Sequence, residues 1–335
     1  MEQEVGIREI LSRCDPTVTA DDERFMRRCL QLARGGQRNA KPNPMVGAVL
    51  VSGGRIIGEG YHVRCGEGHA EVNCFASVKS ADEALVPGAT LYVSLEPCSH
   101  YGRTPPCADL IIRKQVGHVV VGCIDPFAKV SGRGIRKLLD AGIHVKVGVL
   151  GRECEELNRR FIVFNTHHRP YVLLKWAQSS DGYIGDGHSR TPISTPFTTM
   201  LSHRLRAEAD AILIGRRTLE TDHPQLNVRQ WSGPSPERVV LSRSLSAVPE
   251  GFVLAASIDE ALEHLWQEGR QCLIVEGGAE TLRAFIEAGK WDEIRVETAP
   301  LLLGSGVSAP RLPDSLKLLS REDFDGNIIS RYLRL

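Results

Sequence analysis

Apolar positions recur with helical spacing from Asp21, at Phe25, Met26, Cys29, Leu30 and Ala33, and predict a helix that Gly35-Gly36 ends. A turn at Pro42-Asn43-Pro44 leads into the continuous apolar run 46–51, the pattern of a buried strand. Ser52-Gly53-Gly54 reads as a hairpin turn, with a second strand returning over 55–59. A helix is expected from His69 to about Lys79, a strand over 89–95 and a helix after Cys107. Strands over 118–122 and 144–149 bracket a helix over 132–141. This alternation implies a three-layer α/β domain. A connecting helix over 153–164 precedes a second α/β unit with strands over 171–176, 210–215, 238–241, 272–275 and 294–302. Thr195-Pro196 places a capping residue before a proline suited to the first helical position, opening a helix to about Ala207. Another helix is expected over 280–288. The reading divides the chain into an N-terminal extension (1–20), a first domain (21–150), a linker (151–169) and a second domain (170–335).

Composition narrows the class without changing that picture. A chain of 335 residues favours two domains, and 42% hydrophobic with 24% charged residues is ordinary for a soluble globular protein. Lys plus Arg equals Asp plus Glu at 41 each, so no overall basic field draws nucleic acid or an anionic membrane. No run approaches the roughly 18 apolar residues of a membrane span. The segment 1–20 mixes acidic and basic residues without an apolar core, unlike a signal peptide. Nine cysteines, an odd count in a long chain, fit a reducing cytoplasm with thiols free or bound to metal.

The chemistry concentrates in His69-Ala70-Glu71 and in Glu96-Pro-Cys98-Ser-His-Tyr-Gly-Arg-Thr-Pro-Pro-Cys107. One imidazole and two thiolates make a set of three zinc ligands with the fourth position open. Zinc in such a site can bring the pKa of a bound water from about 16 toward 7. Glu71 stands beside the ligand His69 and can move protons, whereas its spacing makes it a poor fourth ligand. That combination is what hydrolytic removal of an exocyclic amine from a nucleobase-like ring requires. Nucleoside and RNA deaminases typically carry Pro-Cys-x-x-Cys, both thiolates on one helical turn. Here eight residues intervene, Pro105 and Pro106 among them, so Cys98 and Cys107 must reach the metal from opposite ends of a loop. Cys98 sits where a helix could begin. A structural zinc site in a binding module, without turnover, is the competing reading, and Glu71 argues against it.

These residues, with Pro42-Asn-Pro-Met-Val-Gly47, Gly58-Glu-Gly-Tyr-His62, Asp125-Pro126 and Gly132-Arg-Gly134, resemble the bifunctional deaminase/reductase family of riboflavin biosynthesis. The resemblance runs from about residue 21 through nearly the whole chain. It implies a cytidine-deaminase-like αβα domain with one Zn²⁺, followed by a dihydrofolate-reductase-like α/β domain that uses NADPH. The implied substrates are phosphorylated pyrimidines: a diaminopyrimidinone is deaminated, and the ribosyl group of the product is reduced to ribityl. Asn43, His62, His100 and Arg103 fall on substrate-contacting positions of the first domain. The resemblance also implies a homo-oligomer, a dimer through the second domain.

Read alone, the second half carries a weaker signal. Glu276-Gly277-Gly278 between strand and helix can aim backbone N–H groups at a phosphate, while Gly-x-Gly-x-x-Gly is absent. The resemblance places Lys175, Ser189, Arg206, Asp222, Leu226, Arg229 and Glu276 near substrate. It places Ala177, Thr218, Asp222, Ser242 and the run Gly278-Ala279-Glu280-Thr281-Leu282 near the cofactor. Arg216, Arg217 and Arg243 are candidates for the extra phosphate of NADPH. A nucleoside or tRNA deaminase with an unrelated appendage is the alternative; the long cysteine loop and the neutral charge count against it.

Overall fold

The computed structural model describes residues 2–101, 105–126, 131–187 and 191–335. The chain divides into two compact units, 1–166 and 167–335. Among the described residues no helix is long and apolar enough to cross a membrane.

In the first unit, α1 (Glu2–Ser12) and α2 (Ala20–Ala33) precede β1 (Gly47–Ser52) and β2 (Arg55–Tyr61). There follow α3 (Ala70–Ala76), β3 (Thr90–Leu95), α4 (Cys107–Arg113), β4 (His118–Cys123), α5 (Arg133–Asp140), β5 (His144–Val147), α6 (Gly151–Leu157) and α7 (Arg159–His167). The sheet order is β2-β1-β3-β4-β5, antiparallel on the β1 side and parallel from β3 to β5. The alternation of the strands explains the two cores. Leu50, Leu91, Val93, Val119 and Val121 face α3, α4 and α5, while Val49, Tyr92 and Val120 face α2 and α6. Every apolar position of the α2 stripe is buried, as its spacing requires. Thr19 and Asp22 form a capping box at its start.

Two segments are better tied in than the sequence suggests. Within the presumed extension, Ile10 joins the core and the Asp15 amide donates to the Val145 carbonyl beside β5. Within the presumed linker, Cys154 is fully buried against the second core, and the segment breaks into α6 and α7 rather than one helix.

The second unit holds β6 (Tyr171–Ser179), α8 (Pro196–Glu208), β7 (Ala211–Gly215), α9 (Arg216–Asp222), β8 (Glu237–Leu241), β9 (Phe252–Ala255) and α10 (Ile258–Gln267). It continues through β10 (Cys272–Val275), α11 (Ala279–Glu287), β11 (Glu293–Ala299), β12 (Leu316–Phe324) and β13 (Asn327–Arg334). Eight strands run β12-β13-β11-β6-β10-β7-β8-β9, parallel from β11 to β9, with β13 antiparallel to its two neighbours. Leu174, Leu213, Leu273 and Val296 meet α10 and α11 on one face. Leu173 and Ile274 meet α8, and Ile212, Ile214 and Val240 meet α9, on the other. Fully burying one such side chain contributes about 1.5–3 kcal/mol. The C-terminal ends of β7, β8 and β10 all open on one edge, where open parallel sheets bind ligands.

Candidate active sites

His69 is the N-cap residue of α3, and Cys107 is the first residue of α4. Cys98 follows β3 in the loop between them. The helix that was expected near Cys98 thus begins at Cys107. Both helices pack on the same face of the sheet, so the three side chains converge although 38 positions separate the first from the last. Nδ1 of His69 lies 3.3 Å from Sγ of Cys107 and 3.5 Å from Sγ of Cys98. Tetrahedral zinc with ordinary Zn–N and Zn–S lengths separates such atoms by roughly 3.6 Å, so the donor set fits that ion. Among the described residues no fourth His, Cys, Asp or Glu atom joins the group. Sγ of Cys98 also accepts from the Cys107 amide at 3.3 Å. A hydrogen bond from the Cys107 thiol holds Cys98 well below the usual thiol range, at about 4, and the same contact raises Cys107.

Glu71 is buried, 3% exposed, and faces Cys107. Burial, with the Cys98 charge adding, pushes its carboxyl up to about 7, near the operating point of a general acid–base group. The His62 ring meets the His69 ring edge-on at 5.4 Å between centroids. His62 Nε2 lies 3.0 Å from Asn43 Nδ2, which joins both candidates to the cluster. His100 is exposed on the loop after Cys98, and Arg103 lies outside the described residues.

Glu96, for which the motif alone suggests no role, organises this loop. Its buried carboxylate accepts from the amides of Gly132 and Gly134 at 2.9 Å, Asp125 at 3.3 Å and Ile135 at 3.4 Å. It thereby serves the amino terminus of α5 and fixes the chain two residues before Cys98. A Cβ on Gly134 would stand 2.0 Å from the Pro97 carbonyl oxygen, so only glycine fits there. The signal was present, since Gly132-Arg-Gly134 and Glu96 both belong to the quoted motifs.

In the second unit, Glu276 at the end of β10 receives two hydrogen bonds from Arg206 of α8, at 2.6 and 3.2 Å. The two side chains are only 10% and 15% exposed. Burial would raise Glu276, but Lys175 and Arg206 together bring it down to about 2. Burial lowers Lys175. These three predicted residues are therefore one cluster. Arg229 is exposed and its guanidinium bonds Gln225 and Asn227. Ser189 lies outside the described residues.

A cavity of about 1110 Å³ lies over the same strand ends. Thr218, Asp222, Ser242, Gly278, Ala279, Glu280 and Thr281 line it, as do Arg216, Arg217 and Arg243. The Gly278 amide donates to the Thr218 hydroxyl at 3.1 Å, joining the starts of α9 and α11. A Cβ on Gly277 would stand 2.7 Å from the Thr281 side chain, which explains the second glycine of the turn. Leu282 lies elsewhere: its side chain points into the core with Phe285, because the first turn of α11 turns that position inward. Leu226 is likewise buried, packed with Ile212 and Leu219. Ala177 sits on β6 beside Glu297 and is not part of the cavity wall. Residues not foreseen, among them Ser244, Ser257 and Thr191, complete the wall. Ser257 was legible as the cap of α10, from Ser257-Ile-Asp-Glu260.

Comparison with known proteins agrees with both halves. The cytidine and deoxycytidylate deaminase zinc-binding region matches residues 19–123, and the RibD C-terminal domain matches 170–328. The riboflavin biosynthesis protein RibD of Aquifex aeolicus is 40% identical over 322 residues, covering 86% of this chain and 89% of the relative. RibD of Escherichia coli is 36% identical over 332 residues, covering 85% and 89%. The crystal structure of a diaminohydroxyphosphoribosylaminopyrimidine deaminase/5-amino-6-(5-phosphoribosylamino)uracil reductase from Thermotoga maritima superposes with a TM-score of 0.84. That chain is 33% identical, with 94% of this chain and 99% of that one covered. Matches spanning both units disfavour a nucleoside or tRNA deaminase with an unrelated appendage. A zinc-binding deaminase unit and a reductase unit in one chain make this protein a member of the bifunctional RibD family of riboflavin biosynthesis.

Proposed function

We propose that the first unit removes the ring amine of 2,5-diamino-6-ribosylamino-4(3H)-pyrimidinone 5′-phosphate, and that the second reduces the ribosyl group of 5-amino-6-(5-phosphoribosylamino)uracil to ribityl with NADPH. The observation that carries the reading is the convergence of His69, Cys98 and Cys107 beside a buried Glu71. When bound there, zinc supplies a Lewis acid that makes water nucleophilic at neutral pH. Glu71 carries the attacking water's two protons in turn, the first to the ring nitrogen and the second to the departing amine, which leaves as ammonia. Asn43, His62 and His100 read the pyrimidine, and Arg103 takes its phosphate.

In the second unit Lys175, Arg206 and Glu276 bind and orient the sugar phosphate, with Ser189, Asp222, Leu226 and Arg229 completing that site. Thr218, Ser242 and 278–281 hold the cofactor, with Ala177 and Leu282 supporting it. Support comes from the cavity that Thr218, Ser242 and 278–281 share at the helix starts. The reaction then depends mainly on alignment and proton supply. No disulfide joins any of the nine cysteines, which suits a cytoplasmic enzyme. A homo-oligomer, a dimer through the second unit, completes the reading.

Zinc-dependent ammonia release that vanishes in Glu71→Ala tests the first activity. The same variant, given the deaminated product, oxidises NADPH at the wild-type rate if the two sites are separate. Wild-type protein that holds zinc yet releases no ammonia from the diaminopyrimidinone overturns the reading.

A further inference from the structure

We infer that Arg243 selects NADPH over NADH by binding the 2′-phosphate of the cofactor; this rests on the NADPH reading above. Four arginines line the cavity: Arg216, Arg217, Arg243 and Arg283. Arg216 is engaged with Glu220 at 2.6 Å, one turn along α9. Arg217 is engaged with Glu280 at 2.7 Å. Arg283 follows Glu280 by three residues on α11, so it shares a helix face with that carboxylate. An incoming phosphomonoester dianion would meet an acidic neighbour at each of these three.

Arg243 differs. It follows β8 and is exposed; unlike Arg216 and Arg217 it forms no hydrogen bond or ion pair with a described residue, and unlike Arg283 it has no acidic residue on its own element one turn away. Its part of the wall comprises Ser242, Ser244, Ala256, Ser257 and Ile258 and carries no carboxylate. The two lining carboxylates, Asp222 and Glu280, belong to α9 and α11. Of the two acids in the first turn of α10, Asp259 pairs with Lys290 at 3.0 Å and Glu260 is turned back onto the Ala256 amide at 2.9 Å. The loop carrying Arg243 is itself fixed, because the Ser242 hydroxyl accepts from the amides of Ser244 and Leu245 at 3.2 and 3.1 Å. A guanidinium on a fixed turn, flanked by hydroxyl donors, suits a phosphomonoester. A free ribose hydroxyl gains far less from it. Nicotinamide and pyrophosphate make the same contacts in NADH and NADPH, so Arg243 acts only on the difference between them.

The test measures binding to the full-length protein without substrate. Probes are NADPH, NADH, adenosine 2′,5′-bisphosphate and ADP. Wild type should prefer each 2′-phosphorylated member of a pair. Losing one charged contact in Arg243→Ala should weaken NADPH and the bisphosphate by roughly 10- to 100-fold. NADH and ADP should stay within about twofold, and Arg243→Lys should recover part of the loss. Wild type that binds NADPH and NADH equally overturns the assignment, as does Arg243→Ala with an unchanged NADPH-to-NADH ratio; in both cases the reductase reading stands. Wild type that binds neither dinucleotide overturns the assignment and the reductase reading together.

Discussion

Asn43 and His62 hold each other in a defined state. Nδ1 of His62 lies 3.1 Å from the Gly68 carbonyl oxygen, and Nε2 lies 3.0 Å from Nδ2 of Asn43. A carbonyl only accepts, so Nδ1 carries the proton and Nε2 accepts from the Asn43 amide. Burial lowers the His62 pKa and keeps the ring neutral. Oδ1 of Asn43 is then the atom that the proposed function would set against a substrate N–H. We expect His62→Ala to free this amide and weaken deamination by roughly 10- to 100-fold, the range for a lost buried hydrogen bond. Ammonia-release kinetics should show the loss mainly in KM, while metal analysis still finds one zinc per chain.

Removing the Glu71 carboxylate while keeping its shape isolates proton transfer from metal binding. Glu71→Gln should retain zinc and lower the deamination kcat by roughly 10²- to 10⁴-fold, the usual share of a positioned acid–base group. A variant that turns over within a factor of two of wild type would refute that role.

The Glu276 cluster gives the second unit an acid limb. A carboxyl whose folded pKa of about 2 lies below its ordinary 4.5 contributes stability that is complete above 4.5. That contribution is lost as pH falls from about 4.5 through about 2. The difference of about 2.5 corresponds to on the order of 3 kcal/mol for this nearly buried group. Urea unfolding followed through Trp176 and Trp291, both in this core, should steepen across that window. In Glu276→Gln the added slope should disappear.

The contact between Gly134 and Pro97 ties α5 to the metal loop. Gly134→Ala should displace the segment leading into Cys98, because its Cβ would overlap the Pro97 carbonyl. A cost of about 1–3 kcal/mol in the first unit is expected. Faster zinc loss to a chelator should accompany it, with NADPH-linked turnover unaffected. Zinc loss at the wild-type rate would separate the two features.

Legibility followed burial. The strands of both parallel cores and the stripe of α2 announced themselves because their side chains have one apolar destination. His69, Glu71, Cys98 and Cys107 were readable because metal chemistry restricts residue type more than packing does. What escaped was half-exposed or short. The strands β12 and β13 form the sheet margin, and β12 has no buried position, so neither a run nor an alternation marks it. The seven-residue α9 buries only Leu219, so no apolar stripe marks it. Leu282 was misplaced for another reason: a run of five consecutive residues at a helix start cannot all face one ligand, since helical side chains rotate away.

Asn158 shows where the deaminase stops. Its side-chain amide pairs reciprocally with the Met45 backbone, accepting from N at 2.8 Å and donating to O at 2.9 Å. Met45 stands two residues beyond Asn43, so a residue at the junction of α6 and α7 braces the turn that carries Asn43. A fragment trimmed at β5 would keep His69, Glu71, Cys98 and Cys107 yet leave that turn unsupported. Dissecting the two activities by gene truncation therefore calls for a cut beyond 166, not at 150.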